Sequence, residues 1–150
     1  MSLPFSAHIP FVEHLGLTLE RFEGGESTVR LQPRPEHRNS FDVTHGGVCM
    51  TMLDVAMATA ARSVQPELGV VTIEMKTSFM RPARIAADAP GGAALEARGR
   101  LLHRTSAMAF TEATLYDDAG RACAHATGTF RYVRRAQASV SAPQPPLPTD

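Results

Sequence analysis

The chain has 150 residues, 15 basic and 15 acidic side chains and a net charge of zero. That length suits one domain with a sizeable core, and the charge balance excludes a bulk attraction to nucleic acid or to an anionic membrane. Cys49 and Cys123 form neither a CxxC pair nor a disulfide framework, which points to a reducing cytoplasm. The N-terminus, Met-Ser-Leu-Pro-Phe, has no basic region and no long apolar run, so neither signal peptide nor membrane span is expected.

Residues 1–8 carry no pattern and are expected to be loose. Pro10 to Gly16 predicts a short helix ending at glycine. Leu17–Glu23 and Thr28–Leu31 read as strands around Gly24-Gly25, a hairpin signal. Pro33 to Asn39 is polar, holds two prolines and reads as a loop. Val48 to Val64 is the one strong helix. Asp54 is its only charge as far as Ala61, apolar residues cover nearly the whole circumference, and Gln65-Pro66 ends it. Val70–Met80 predicts a strand in which Val71, Ile73 and Met75 alternate with Thr72, Glu74 and Lys76. Residues 93–102, 106–116 and 121–133 predict an antiparallel meander, with Asp117 to Gly120 as one hairpin turn. Residues 1–133 are therefore read as a single domain of α+β class, and 134–150, rich in proline and small polar residues, as a disordered tail.

A helix apolar all round is buried all round. A curved sheet covers one side; a second copy of the chain is the most economical cover for the other.

The chemistry concentrates in Asn39…His45-Gly46-Gly47 and Asp54. Two glycines opening a helix leave backbone N–H groups unshielded at its positive end, a site for an anion or a developing oxyanion. A carboxylate in an apolar helix is costly unless paired or put to work. His45 and Asp54 are nine residues apart, about 13 Å along a helix at ~1.5 Å per residue. Asp54 and the Gly46 amide of one chain therefore cannot both touch one reacting carbonyl, where contacts of roughly 3 Å are needed. In an antiparallel helix pair, however, Asp54 of one copy faces Gly46 and Asn39 of the other. That constellation suits hydrolysis of an activated acyl group. The Gly46 amide, with Gly47 as a second candidate, polarises the carbonyl, Asn39 donates a hydrogen bond, and Asp54 acts as general base or nucleophile. His45 is read either as part of this site or as a packing and hydrogen-bonding residue at the helix start. Cys49, one turn beyond His45, reads as a small buried hydrophobe. The six histidines show no metal-ligand spacing, so no metal is expected.

The series Asn39…His45-Gly46-Gly47…Leu53-Asp54, Val71-Thr72-Ile73-Glu74-Met75-Lys76 and Phe79-Met80-Arg81-Pro82-Ala83, with Arg104 to Phe110 and Ala126 to Phe130, resembles the hotdog-fold acyl-CoA thioesterases. Within the 4-hydroxybenzoyl-CoA thioesterase superfamily it is most similar to the phenylacetate-pathway type. The resemblance covers roughly residues 8–133. It implies a six-stranded antiparallel sheet wrapped around one long helix, and homodimers that pair into tetramers. It implies that Asp54 is the catalytic carboxylate, that the Gly46 amide holds the thioester oxygen, and that Asn39 orients substrate or water. Thr72 stands where some members place a serine near the water, though its strand parity opposes Val71 and Ile73. The segments Phe79, Met80, Arg81 to Arg84 and His103, Arg104, Thr105, Ser106 to Ala107 occupy coenzyme A-contacting positions in relatives, and their arginines suit phosphate. Coenzyme A is then part of the substrate and no separate cofactor is expected. A non-catalytic acyl-CoA-binding or sensing module is the alternative function. A hotdog enoyl-CoA hydratase ranks lower, because it needs Asp and His closely spaced at the helix start.

Overall fold

The computed structural model describes residues 1–86, 89 and 91–135, so the expected tail lies outside the described residues from 136 onward. Helix α1 spans Pro10–Leu15 and helix α2 spans Gly46–Arg62. The strands are β1 Thr18–Glu23, β2 Glu26–Leu31, β3 Leu68–Phe79, β4 Leu95–Arg104, β5 Met108–Tyr116 and β6 Ala122–Arg134. They form one antiparallel sheet in the order β1-β2-β4-β5-β6-β3, which curls around α2 and leaves β1 and β3 at its edges. This is the hotdog arrangement that the resemblance implies. Among the described residues no helix is long and apolar enough to cross a membrane.

Small side chains decide how deeply α2 lies in the sheet. Ala97, Ala109, Ala113 and Ala126 are fully buried beneath it. At Gly99 the approach is closest. A methyl group there would stand 2.3 Å from the Ala56 carbonyl oxygen and 2.6 Å from Ser27 Oγ. Ser27 Oγ in turn donates to that carbonyl at 2.6 Å. Gly128 makes the same allowance for Met57, whose Cε would lie 3.0 Å from an added Cβ. Onto this floor α2 lowers its large residues Met52, Leu53 and Met57, which meet Phe130, Leu31, Leu95 and Leu115 in the core. Burying each such side chain is worth about 1.5–3 kcal/mol.

Three expectations are corrected. First, α2 begins at Gly46 rather than Val48 and ends at Arg62 rather than Val64. The glycines are helical because His45 caps them: its Nδ1 accepts from the Gly47 N–H at 2.8 Å. Second, residues 1–8 are not wholly loose. The Leu3 N–H donates to the Leu19 carbonyl, and Phe5 packs against the core. Third, Val71 and Ile73 do not face inward with Met75; they are 46% and 53% exposed. The pairing of β3 with β6 slips between Thr72 and Glu74, leaving Ile73 as an extra bulged residue. A bulge shifts the two-residue pleat by one. Val70 and Thr72 therefore point toward α2 on one side of it, and Met75 does so on the other.

Nor is α2 buried on every side within one chain. Its sheet-facing stripe is buried, but Met50 stays exposed and Asp54, Val55 and Ala58 are half-buried on the opposite side.

Gly99→Ala should be among the most destabilising single-methyl additions in the chain. A 2.3 Å overlap with helix backbone cannot be relieved by a side-chain rotation, and overpacking of this kind costs about 1–3 kcal/mol or more. Urea unfolding at fixed protomer concentration measures it. A loss below about 0.5 kcal/mol would mean that α2 does not depend on this contact.

Candidate active site

The loop before α2 is fixed by its own short-range bonds. Asn39 Oδ1 accepts from the N–H groups of Phe41 at 2.9 Å and Val43 at 3.2 Å, a side-chain-closed turn. The Asn39 amide nitrogen is left without an acceptor among the described residues. The His45 N–H donates to the His37 carbonyl at 2.7 Å, and the Thr44 N–H to the Ala83 carbonyl at 3.1 Å. These bonds aim the helix start. The Gly47 N–H is taken by the His45 cap, so the second carbonyl-polarising donor expected at Gly47 is already occupied. The Gly46 N–H has no acceptor among the described residues. A cavity of about 380 Å³ opens beside it, lined by Asn39, Gly46, Phe79, Met80 and Arg81 among others.

Asp54 lies two turns further along α2 and opens elsewhere. It lines a largely apolar cavity of about 600 Å³ with Met50, Val55, Thr72 and Met75, closed in part by Phe5, Ile9 and Phe11 of the N-terminal segment. Thr72 Oγ1 donates to Asp54 Oδ1 at 2.8 Å. The orientation that strand parity left open is thus set by the bulge at Ile73. Burial raises the Asp54 carboxyl above its ordinary value of 3.8, and the Thr72 hydroxyl pulls it partly back. Cys49 is a different case. Burial first, and Cys123 beside it second, push its thiol up to about 11, so it stays protonated.

One chain therefore holds two separate groups of candidate residues. Asn39, His45, Gly46, Phe79, Met80 and Arg81 gather at the start of α2, while Asp54 and Thr72 gather at its middle. Arg84 is exposed beyond the first group. His103 and Arg104 end β4 and Thr105 and Ser106 begin the turn to β5, and all four are exposed. Arg104 pairs with Ala109, which pairs with Phe130, which pairs with Thr72, so this turn is level with Thr72 rather than Phe79. Phe79 is roughly 20 Å further along β3 at ~3.3 Å per residue. The two arginine-bearing segments do not meet in one chain. Among the described residues no cluster of three or more metal-ligating side chains occurs.

Sequence reasoning missed the wall of the larger cavity. Phe5 belongs to the stretch without pattern, Ile9 and Phe11 stand at the start of α1 with no sign of what they face, and Arg62 and Arg135 lie 73 residues apart in sequence yet line the same space. No local signal links them.

Known proteins resemble this chain in sequence and fold. A protein of Saccharolobus solfataricus named "putative esterase" is 27% identical over 120 residues, covering 80% of this chain and 81% of that protein. A Halobacterium salinarum protein with the same form of name is 33% identical over 76 residues, 47% of this chain, which spans half the length of that relative. The solved structure of a mutant of the phenylacetic acid degradation protein PaaI from Thermus thermophilus superposes with a TM-score of 0.69 at 27% identity, covering 82% of this chain and 98% of that one. The thioesterase superfamily model matches residues 41–124, a stretch that contains Gly46, Asp54 and Thr72, and the chain belongs to that superfamily.

Proposed function

We propose that the protein is an acyl-CoA thioesterase of the phenylacetate-pathway type, acting as a homodimer whose sites each combine Asp54 of one copy with Gly46 and Asn39 of the other. One observation carries this reading: a thioester hydrolase fold whose free helix-start N–H and whose buried carboxylate line different cavities of the same chain. Pairing two α2 helices antiparallel, Asp54 side to Asp54 side, brings the half-sites together and covers Met50, while Ala58 and the space toward Arg62 lie beyond the start of the partner helix. The identity with PaaI supports the branch.

In this mechanism the Gly46 N–H donates to the thioester carbonyl oxygen, aided by the positive end of α2. The Asn39 amide, free of internal acceptors, donates to substrate or water. Thr72 occupies one oxygen of Asp54 and leaves Oδ2 to take a proton from water as the water oxygen bonds to the carbonyl carbon. The C–S bond then breaks, and the departing thiolate of coenzyme A receives the proton back from Asp54. A carboxyl raised by burial is the better base, provided the pH is high enough to ionise it. An antiparallel pair also brings the Arg81–Arg84 segment of one copy toward the Arg104 turn of the other, where both can meet the nucleotide phosphates.

Asp54→Asn should fold and dimerise but lose about 10²–10⁴-fold in kcat, the usual weight of a general base. Thiol release from a panel of acyl-CoA thioesters reads it, and near-normal turnover by a dimeric variant rejects the role. An enzyme inactive on the whole panel that still binds acyl-CoA would favour the sensing alternative.

Gly46→Pro deletes the N–H at a helix position where proline is well tolerated, and an added Cβ would sit 3.5 Å from the Phe79 ring, an ordinary contact. Its kcat should fall about 10²–10³-fold. Mixed 1:1 with Asp54→Asn under conditions of subunit exchange, it should restore about a quarter of wild-type activity, since half the dimers then carry one intact site. Full exchange without recovery rejects the composite site.

Thr72→Val removes the bond that lowers the Asp54 pKa. Activity rises with pH as Asp54 ionises, so the acid limb of kcat should move to higher pH, while Thr72→Ser keeps it in place. An unmoved limb in Thr72→Val means that another group sets it.

A further inference from the structure

The larger cavity runs along one face of α2 from Asp54 past Ala58 to Arg62 and Arg135. Asp54, Ala58 and Arg62 follow at four-residue steps, so they stack on that face, with Asp54 and Arg62 about 12 Å apart along the axis. Val55, Val70 and Met75 make the walls apolar. The far end is not apolar. Arg62 Nε donates to the Leu68 carbonyl at 3.1 Å, and its Nη2 to Ser6 Oγ at 2.6 Å and to the Pro66 carbonyl at 3.4 Å. These bonds tie down the turn after α2, an ordinary task for an arginine at a helix end. They do not account for Arg135, which approaches from the end of β6 and donates from Nη2 to the Ser6 carbonyl at 2.7 Å.

Two cations are thus held on one residue of the N-terminal segment. Among the described residues neither is paired with a carboxylate, and Arg62 Nη1 has no acceptor. Burial first, and the charge of Arg135 second, hold the Arg62 guanidinium below its usual value. Arg62 is half-buried and Arg135 exposed, so a hydrocarbon terminus would cover these donors without pairing them, at a desolvation cost. A carboxylate bridging the two guanidiniums would satisfy them and cancel their repulsion.

We propose that the acyl group taken by this cavity ends in a second carboxylate, that is, a straight-chain dicarboxylic acid held as its coenzyme A monothioester. The inference rests on the thioesterase reading, with the thioester at Asp54 and the free acid on Arg62 and Arg135. The separation of about 12 Å, less the roughly 3 Å contact between acid and guanidinium, leaves about 9 Å, which is about seven C–C bonds at ~1.3 Å of extension each and so a chain of about eight carbons.

The test compares octanedioyl-CoA with octanoyl-CoA, identical except for the terminal acid. Wild-type kcat/KM should favour octanedioyl-CoA at least tenfold. Arg135→Gln should lower that ratio at least tenfold, chiefly through KM, because the contact exists in ground and transition states alike. Taking the ratio within each variant cancels any loss of folded protein. A wild-type ratio of one or less overturns the proposal, as does a ratio unchanged in Arg135→Gln. Both of those outcomes leave the thioesterase reading standing if octanoyl-CoA is hydrolysed. If neither thioester is hydrolysed, the wider acyl-CoA panel decides the thioesterase reading, and calorimetric titration decides the acid pocket alone. Binding of octanedioyl-CoA at least tenfold tighter than octanoyl-CoA supports it, and equal binding overturns it.

Discussion

The structure depends on the approach of α2 to β4 at Gly99. A helix normally rides on a sheet at the height of its side chains; here one carbonyl, that of Ala56, comes close enough to accept from Ser27 Oγ. That depth allows a single six-stranded sheet to wrap the helix, because the strands on either side must curl up to reach the flanks of α2. It also fixes the rotation of α2 about its own axis. With Ala56 down, Asp54 and Ala58 are turned aside toward the larger cavity, and the only large side chains that fit beneath are Met52, Leu53 and Met57. The site therefore follows from packing at a residue that takes no part in it.

Most of the architecture was legible in the chain. The Gly24-Gly25 hairpin, the Asp117–Gly120 turn and the long helix each rest on local chemistry. Glycine takes positive φ at 24, 25 and 120, and Asp117 Oδ1 accepts from the Ala119 and Arg121 N–H groups. Asn39, Gly46 and Asp54 stood out for the same kind of reason, since each is an unusual residue for its place. What was illegible is whatever needed a neighbour from far away. The bulge at Ile73 has no signature in Val-Val-Thr-Ile-Glu-Met, because it is decided by register against β6. Strict alternation set Thr72 on the face opposite Val71, Ile73 and Met75 and left its orientation open; the slip turns Thr72 toward α2, and a hydroxyl reaches the carboxylate.

The helix start shows how little freedom such a site has. His45 caps α2 by accepting from Gly47, which leaves the Gly46 N–H as the free backbone donor there. An added Cβ at Gly47 would stand 3.0 Å from His45 Nδ1. The second glycine is thus needed for the cap, and the first for access. His45 holds the geometry at this end, and Asn39 closes the preceding turn with its oxygen while its nitrogen stays open to the cavity.

Strand β3 lies at the rim of the sheet and is twelve residues long. Natural sheets blunt such rims with charge, proline or a local twist. The second half of β3 has Glu74, Lys76 and the bulge before them. The first half, Leu68 to Ile73, has neither charge nor proline and displays Val71 and Ile73 to solvent. A short uncharged run rich in β-branched residues at an open rim recruits further strands of any origin. Solubility and assembly are therefore one question for this chain, because the same open rim suits an ordered partner strand and an aggregating one equally.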